Sequence, residues 1–405
     1  MKKLVFLFIG ALLFSCQSEL LHDFSTSNKR NHQRTSFRIS KEEAIALSLG
    51  FANELNVKTR GGGYKEVESV IPWRLHDMYP QTKVNNYGEQ LPDTMLYIVN
   101  FKNNDGFVLV PTDNRIKGIL AYVEEGNLSP SDQIDNEGFN FFLSRLPDYF
   151  LEQVGDPSFE LDTIHYPGLL DPWVTDSLIG PMLTTAWHQF SPFNDSCPVI
   201  NGNPTLAGCL PIATCQLLAY HQYPNTFNGH TYNWSEILTG AEPQTNVGKN
   251  NVAQLIHDVG VLLHTAYGDS VSGSFPSNLP NAFDSLGYEH PSTWPNYDFN
   301  LSMQSFEAGC PVIMIGYDSL NDGGHAWVID GGAIRRDTRF YIYPGEPAIY
   351  QHLIHCNWGW PGTPSFNGYY KSGVFDTRKK VADVLTRSHA YYGCEIFNLT
   401  KPLEE

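Results

Sequence analysis

With 405 residues, 41% of them hydrophobic and 17% charged, the chain is long enough to bury a sizeable core and fits two domains. A net charge of −17 with no long Lys/Arg block excludes a nucleic-acid partner, because phosphate binding needs a positive surface. There is no Cys-x-x-Cys and no paired metal-ligand spacing, so neither a metal nor a cofactor is expected.

The N-terminus reads as a targeting signal. Lys2 and Lys3 precede an apolar stretch, Leu4 to Phe14, too short to span a bilayer, and it ends at Leu13-Phe14-Ser15-Cys16. That ending resembles a bacterial lipobox, which implies residues 1–16 as a signal with Cys16 as the lipidated residue; the alternative is a plain secretory signal cut nearby. Residues 17–36 are polar and suit a tether.

Residues 37–154 read as a separate α+β unit. Ser40 and Glu43 form a capping box, with Ala44, Leu47, Phe51 and Leu55 at helical spacing after it. Gly61-Gly62-Gly63 breaks the chain. Strands are expected at Met95 to Phe101, at Phe107 to Val110 after the Asn104-Asp105-Gly106 turn, and at Ile116 to Val123. Phe139 to Val154 has a helical pattern, with Pro147 inside it predicting a break or kink. Residues 155–175 are rich in Pro, Gly and Asp and read as the linker to a second domain, 176–405.

That second domain carries the chemistry. In Gly208-Cys209-Leu210-Pro211 the cysteine precedes an apolar run, Ile212 to Tyr220, that predicts a helix with Pro211 in its first turn and Tyr223-Pro224 as a stop. A helix N-terminus lowers a thiol pKa, and only the thiolate is a strong nucleophile. Gly323-Gly324-His325 opens a buried strand, Ala326 to Ile329, which holds an imidazole on a rigid element. In Asn357-Trp358-Gly359-Trp360 the carboxamide is placed to bond the far ring nitrogen, with Trp358 shielding that bond. Cys, His and Asn thus follow the order of papain-type thiol proteases. A second helix is expected at Val252 to His264. Ser272, Gly273 and Ser274, with Gly324, read as the floor of a groove for an extended peptide, or as a flexible loop.

Gly208-Cys209 through His221-Gln222-Tyr223-Pro224, Gly324-His325-Ala326-Trp327-Val328-Ile329-Asp330-Gly331 and Asn357-Trp358-Gly359-Trp360 resemble the signature blocks of the streptopain family, over about Pro181 to Phe375. The resemblance implies a papain-like fold of two subdomains, α+β in class, preceded by a small α+β prodomain. Endopeptidase activity on protein or peptide substrates and synthesis as a zymogen follow from it. By motif, Cys209 is the nucleophile, His325 the general base and acid, Asn357 the orienting residue, Trp358 its shield and Gln189 an oxyanion donor beside the Cys209 N–H. Residues 37–154 resemble the inhibitory prodomain, with Gly106-Phe107-Val108-Leu109-Val110-Pro111 to Asp113-Asn114-Arg115 the best match, and maturation is expected between 155 and 175. The zymogen would then sit at a bacterial membrane or cell surface through Cys16, and the mature domain would be released. Competing readings are a cysteine-dependent amidase or acyltransferase, and a silent papain-fold binding protein.

Departures from the family pattern bear on subsite shape: Pro211 and Ile212 after the cysteine, Phe275 after Ser274, and Pro361 after Trp360. Arg335-Arg336-Asp337 reads as an exposed turn. Of the seven cysteines, setting aside Cys16 and Cys209 leaves Cys197, Cys215, Cys310, Cys356 and Cys394, enough for two disulfides at most; Cys215 reads as core.

Overall fold

The computed structural model describes residues 37–59, 64–78, 91–154, 172–318, 323–338, 348–377 and 392–398. The signal and tether, Gly61-Gly62-Gly63, nearly all of the linker and the Cys394 side chain lie outside the described residues.

Helix α1 (Lys41–Thr59) starts at the expected capping box: Glu43 N donates to Ser40 Oγ (3.2 Å) and Ser40 N to Glu43 Oε2 (2.7 Å). Such a cap is worth about 1 kcal/mol. Strands β1 (Val67–Arg74), β2 (Thr94–Phe101), β3 (Phe107–Pro111) and β4 (Ala121–Val123) form an antiparallel meander beneath it. The last strand is shorter than expected. Before it, Leu120 N still bonds Leu109 O of β3 (2.8 Å), but the carbonyls turn toward the second domain: Gln351 Nε2 donates to Ile119 O (2.8 Å), Lys371 N to Leu120 O (2.7 Å) and Lys371 Nζ to Lys117 O (2.6 Å).

Helix α2 (Glu137–Val154) runs through Pro147 unbroken, against the expected break. A proline inside a helix costs about 3 kcal/mol. Phe139, Phe142, Leu146 and Phe150 are all completely buried, and at roughly 1.5–3 kcal/mol for each such side chain their burial outweighs that cost.

The second domain has a helical half and a sheet half. Helix α3 (Cys209–His221), helix α4 (Asn246–Leu262) and helix α5 (Leu279–Ser285) share a core with one face of the sheet, including Ile313, Ile315, Ala326 and Val328. The sheet half contains β5 (Trp173–Ile179), β6 (Ser292–Trp294), β7 (Val312–Asp318), β8 (Gly323–Asp337), β9 (Tyr350–Asn357), β10 (Gly368–Lys371) and β11 (Tyr392–Asn398). Residues Trp173 to Thr175, expected in the linker, belong to β5 and pair with β8.

The two domains are not separate units. Strand β4 pairs with β10 (Val123 with Gly368, Tyr122 with Tyr369, Ala121 with Tyr370), giving one eleven-stranded sheet in the order β1-β2-β3-β4-β10-β9-β8-β7-β11-β6, with β5 on β8. Their cores are shared too: Phe139 and Phe142 pack with Trp327, Trp358 and Phe375, while Phe51 and Tyr122 pack with Leu353 and Tyr369.

Arg335-Arg336-Asp337 is strand, with Arg335 and Asp337 buried, where an exposed turn was expected. The guanidinium is buried because the first domain partners it: it lies 4.8 Å over the Phe51 ring, with Nη2 3.6 Å from Glu54 Oε2. Glu54 also accepts from Thr175 N (3.3 Å) and Oγ1 (2.7 Å). Among the described residues Cys197, Cys209 and Cys215 are free thiols, and Cys215 is core as expected.

Shared strands and cores predict that cutting the linker alone does not part the domains. A Cys209→Ala chain carrying a foreign protease site within residues 155–171 should elute as one species on gel filtration after cleavage; two separate peaks would contradict the shared core.

Candidate active site

Cys209 is the first residue of α3, half-buried, on a 13-residue helix whose N-terminal dipole faces the sulfur. Gly208 before it has φ 91°, a conformation that side chains with a Cβ rarely adopt, so the glycine is what lets the chain enter the helix at the thiol.

His325 is buried on β8, opposite Gly316 of β7. Its Nε2 lies 2.8 Å from the Trp358 carbonyl oxygen. A carbonyl only accepts, so Nε2 carries a proton and Nδ1 is the nitrogen left for acid–base work. The Trp358 peptide is itself held: its N–H donates to Asn367 Oδ1 (2.9 Å), and its buried indole Nε1 donates to Phe366 O (2.9 Å) and Tyr370 Oη (3.1 Å). Trp358 therefore does more than shield, since its main chain orients the imidazole.

Asn357 takes a different place from the one expected. Its Nδ2 donates to Thr185 O (2.7 Å) and Gln216 Oε1 (3.3 Å), and its Oδ1 accepts from Gln216 Nε2 and Gly359 N, each at 3.3 Å. Asn357 closes strand β9 with its side chain directed at this polar cluster, and the next residue's carbonyl reaches the ring instead. The carboxamide holds the chain that holds the histidine.

Gln189 is buried, and its carbonyl accepts from Ala207 N (3.0 Å), which ties it two residues before the thiol. The small-residue loop lies beside the nucleophile, because Leu206 N donates to Gly268 O (2.9 Å) and Thr265 Cγ2 would be 3.6 Å from a Cβ on Gly208. Its two hydroxyls and the Gly273 backbone are bonded within the fold. The buried Ser272 donates to Leu206 O (2.7 Å), Gly273 exchanges both backbone bonds with Ala266, and Ser274 Oγ meets Thr265 Oγ1 at 2.8 Å. Gly324 is exposed on β8 immediately before His325 and pairs with Tyr317.

The missed residues that reach the imidazole come from the first domain. Glu137, the first residue of α2, places Oε2 3.3 Å from His325 Nδ1, an ion-pair distance without hydrogen-bond alignment. The Asn136 side chain caps the helix by accepting from Phe139 N (2.9 Å) while its amide donates to Ser365 O (3.0 Å), and this fixes where Glu137 points. Gly138 then lies flat on the Trp358 indole, where a Cβ would come within 2.2 Å of a ring carbon. Burial alone would push the His325 pKa down, but Cys209 first and the Glu137 carboxylate second outweigh it and push it up to about 10. The same contact holds the Glu137 carboxyl below its usual range.

The arrangement is a thiol at a helix N-terminus, an imidazole with one nitrogen fixed by a carbonyl, and a carboxylate from another domain on its free nitrogen. Comparison with known proteins gives the family. Residues 187–370 match the Peptidase C10 family and residues 36–150 match the Spi protease inhibitor family. Streptopain of Streptococcus pyogenes is 27% identical over 334 aligned positions, covering 71% of this chain and 76% of its own length. The thiol protease/hemagglutinin PrtT of Porphyromonas gingivalis is 24% identical, over 68% of this chain and 34% of that protein. A solved structure of Prevotella intermedia prointerpain A, a fragment with a cysteine-to-alanine substitution, superposes with a TM-score of 0.53 at 22% identity, covering 76% of this chain and 96% of the other. That likeness shows the α+β, papain-like fold. With an inhibitor-type domain in front of a C10 peptidase domain, and a thiol site in the second, the chain is a streptopain-like cysteine endopeptidase carrying its own prodomain.

Proposed function

We propose that the chain is the zymogen of an exported endopeptidase in which Cys209 and His325 carry the chemistry and Glu137 of the prodomain holds them idle. The observation that carries this reading is the division of the imidazole: Nε2 on the Trp358 carbonyl, Nδ1 facing the carboxylate. Once the prodomain is gone, Nδ1 takes the Cys209 proton and the thiolate attacks the scissile carbonyl carbon. The oxyanion receives the Cys209 N–H and the Gln189 carboxamide. The imidazolium then gives its proton to the leaving amine, and water, deprotonated by Nδ1, hydrolyses the thioester.

Maturation within residues 155–171, leaving a catalytic domain that keeps β5 whole, belongs to the same proposal. So does lipidation at Cys16, which would keep the zymogen on a membrane and leave the mature domain without the anchor. Cell fractionation tests the anchor: Cys16→Ser should move the full-length form off the membrane, and an unchanged distribution would overturn it.

Cys209→Ala should abolish casein hydrolysis. His325→Ala should lose nearly all kcat/KM and Asn357→Ala less, because the Asn357 carboxamide does not touch the ring; the reverse order would contradict these roles. Gln189→Ala should lower kcat by about 10²- to 10³-fold, the loss typical of one oxyanion donor. Hydrolysis of small amides with casein left intact would instead favour an amidase.

The Glu137–His325 pair has a pH signature. Cys209 raises the histidine first and Glu137 second, so the share of stability that Glu137 adds is present while the imidazole is charged and is lost as pH rises through about 10. Calorimetry of the full-length chain should therefore show the Tm gap between wild type and Glu137→Gln at its widest near pH 6 and closing toward pH 10. A gap that widens with pH would rule out the pairing.

A further inference from the structure

The segment Met182 to Gln189 delivers the oxyanion carboxamide but has no regular secondary structure before Gln189. Its polar groups are held largely by side chains and backbone from the elements around it. Leu183 N donates to Asp330 Oδ2 (2.8 Å) and Met182 N to Asp330 O (3.0 Å), which anchors the start of the strap to β8. Closer to Gln189, the anchor is Gln216.

Gln216 lies on α3 seven residues after Cys209, close to two helical turns of 3.6 residues and so on nearly the same face. It is completely buried. A carboxamide is costly to bury unless it is satisfied, and this one is satisfied from three directions. Its Oε1 accepts from Thr185 Oγ1 (2.8 Å), Trp187 N (3.3 Å) and Asn357 Nδ2 (3.3 Å), and its Nε2 donates to Asn357 Oδ1 (3.3 Å). Asn357 closes the loop by donating to Thr185 O (2.7 Å). One side chain thus joins the helix that carries the thiol, the strap that carries the oxyanion donor, and the residue before the carbonyl that holds the imidazole.

We propose that Gln216 is a positioning residue that fixes the distance between nucleophile, oxyanion donor and histidine, touching no substrate itself. The proposal rests on the reading of Cys209, His325 and Gln189 as the reaction centre. Transition-state geometry depends on all three at once, whereas peptide binding along the cleft does not, so loosening the joint should act on kcat more than on KM. A misplacement near 1 Å is enough to cost about 10²-fold.

Full-length chain matured by trace wild-type enzyme supplies the test, with active sites counted by an epoxide thiol inhibitor so that unfolded molecules drop out of the rate. Gln216→Leu keeps the volume and removes the bonds; kcat per titrated site should fall about 10²-fold with KM within about threefold. Gln216→Glu should recover part of that rate at acid pH, where a neutral carboxyl supplies both a donor to Asn357 and an acceptor to Thr185, and lose it as the buried acid ionises. If Gln216→Leu yields no titratable enzyme, Thr185→Val removes the shortest bond to the carboxamide, and kcat should fall about 3- to 10-fold, the equivalent of one net hydrogen bond. A kcat within twofold of wild type in the folded variant overturns the proposal. Turnover persisting in Cys209→Ala would overturn the site reading and the proposal with it, because the joint would then serve no reaction.

Discussion

The hydrogen bond from His325 Nε2 to the Trp358 carbonyl is the constraint on which the site depends. It fixes the tautomer, since the acceptor can take only an N–H, and it turns Nδ1 toward the space that a thiol proton must cross. Everything that locates the Trp358 peptide therefore acts on the histidine: the indole bonded to Phe366 and Tyr370, the main-chain N–H on Asn367, and Asn357 locked to α3 and the strap. The prodomain exploits the same geometry. Gly138 removes the one Cβ that would keep α2 off the Trp358 ring, and Glu137 then reaches the free nitrogen.

Docking is broad rather than confined to that contact. Strand β4 extends the catalytic sheet, and Glu54, Phe51 and the carbonyls of Lys117, Ile119 and Leu120 take up Arg335, Gln351 and Lys371. Losing one partner of a buried charge is expensive, about 3–5 kcal/mol, which makes the polar part of the interface selective for this prodomain. Two titrating groups in it oppose each other. Burial and the nearby Lys117 charge push Lys371 down to about 7, so its contribution to the stability of the folded chain improves as pH rises from there toward its ordinary value, while that of His325, raised by Cys209 and then Glu137, declines as pH rises toward about 10. Across neutral to mildly alkaline pH the two slopes run in opposite directions.

What was legible in the sequence was whatever local chemistry writes down. The capping box of Ser40 and Glu43, the Gly208-Cys209 entry into a helix and the glycine pair before His325 each depend on neighbours a few residues away, and each is found where expected. The failures are all long-range. Arg335 looks solvated until Phe51 and Glu54, nearly three hundred residues earlier in the chain, are laid over it. Pro147 looks like a break until its helix is buried, and Ile116 to Leu120 looks like strand until its carbonyls find Gln351 and Lys371. Asn357 was placed one residue away from the group that bonds the ring, because spacing shows which residue types are near one another but not whether side chain or main chain makes the contact. Glu137 carries no local signal. Gln216 carries a faint one, a polar residue on the otherwise apolar face of the helix that begins at Cys209.

In the proposed mechanism the prodomain idles the enzyme by occupying Nδ1 of a histidine whose Nε2 is committed to Trp358. Nitrogen-15 spectra of His325, assigned by its loss in His325→Gln and recorded on the Cys209→Ala chain before and after removal of the prodomain, test it most directly. The account predicts that the Nδ1 resonance shifts when the prodomain leaves while Nε2 remains a protonated, hydrogen-bonded donor in both forms. An Nδ1 resonance that does not move, or a neutral ring protonated at Nδ1, would contradict it.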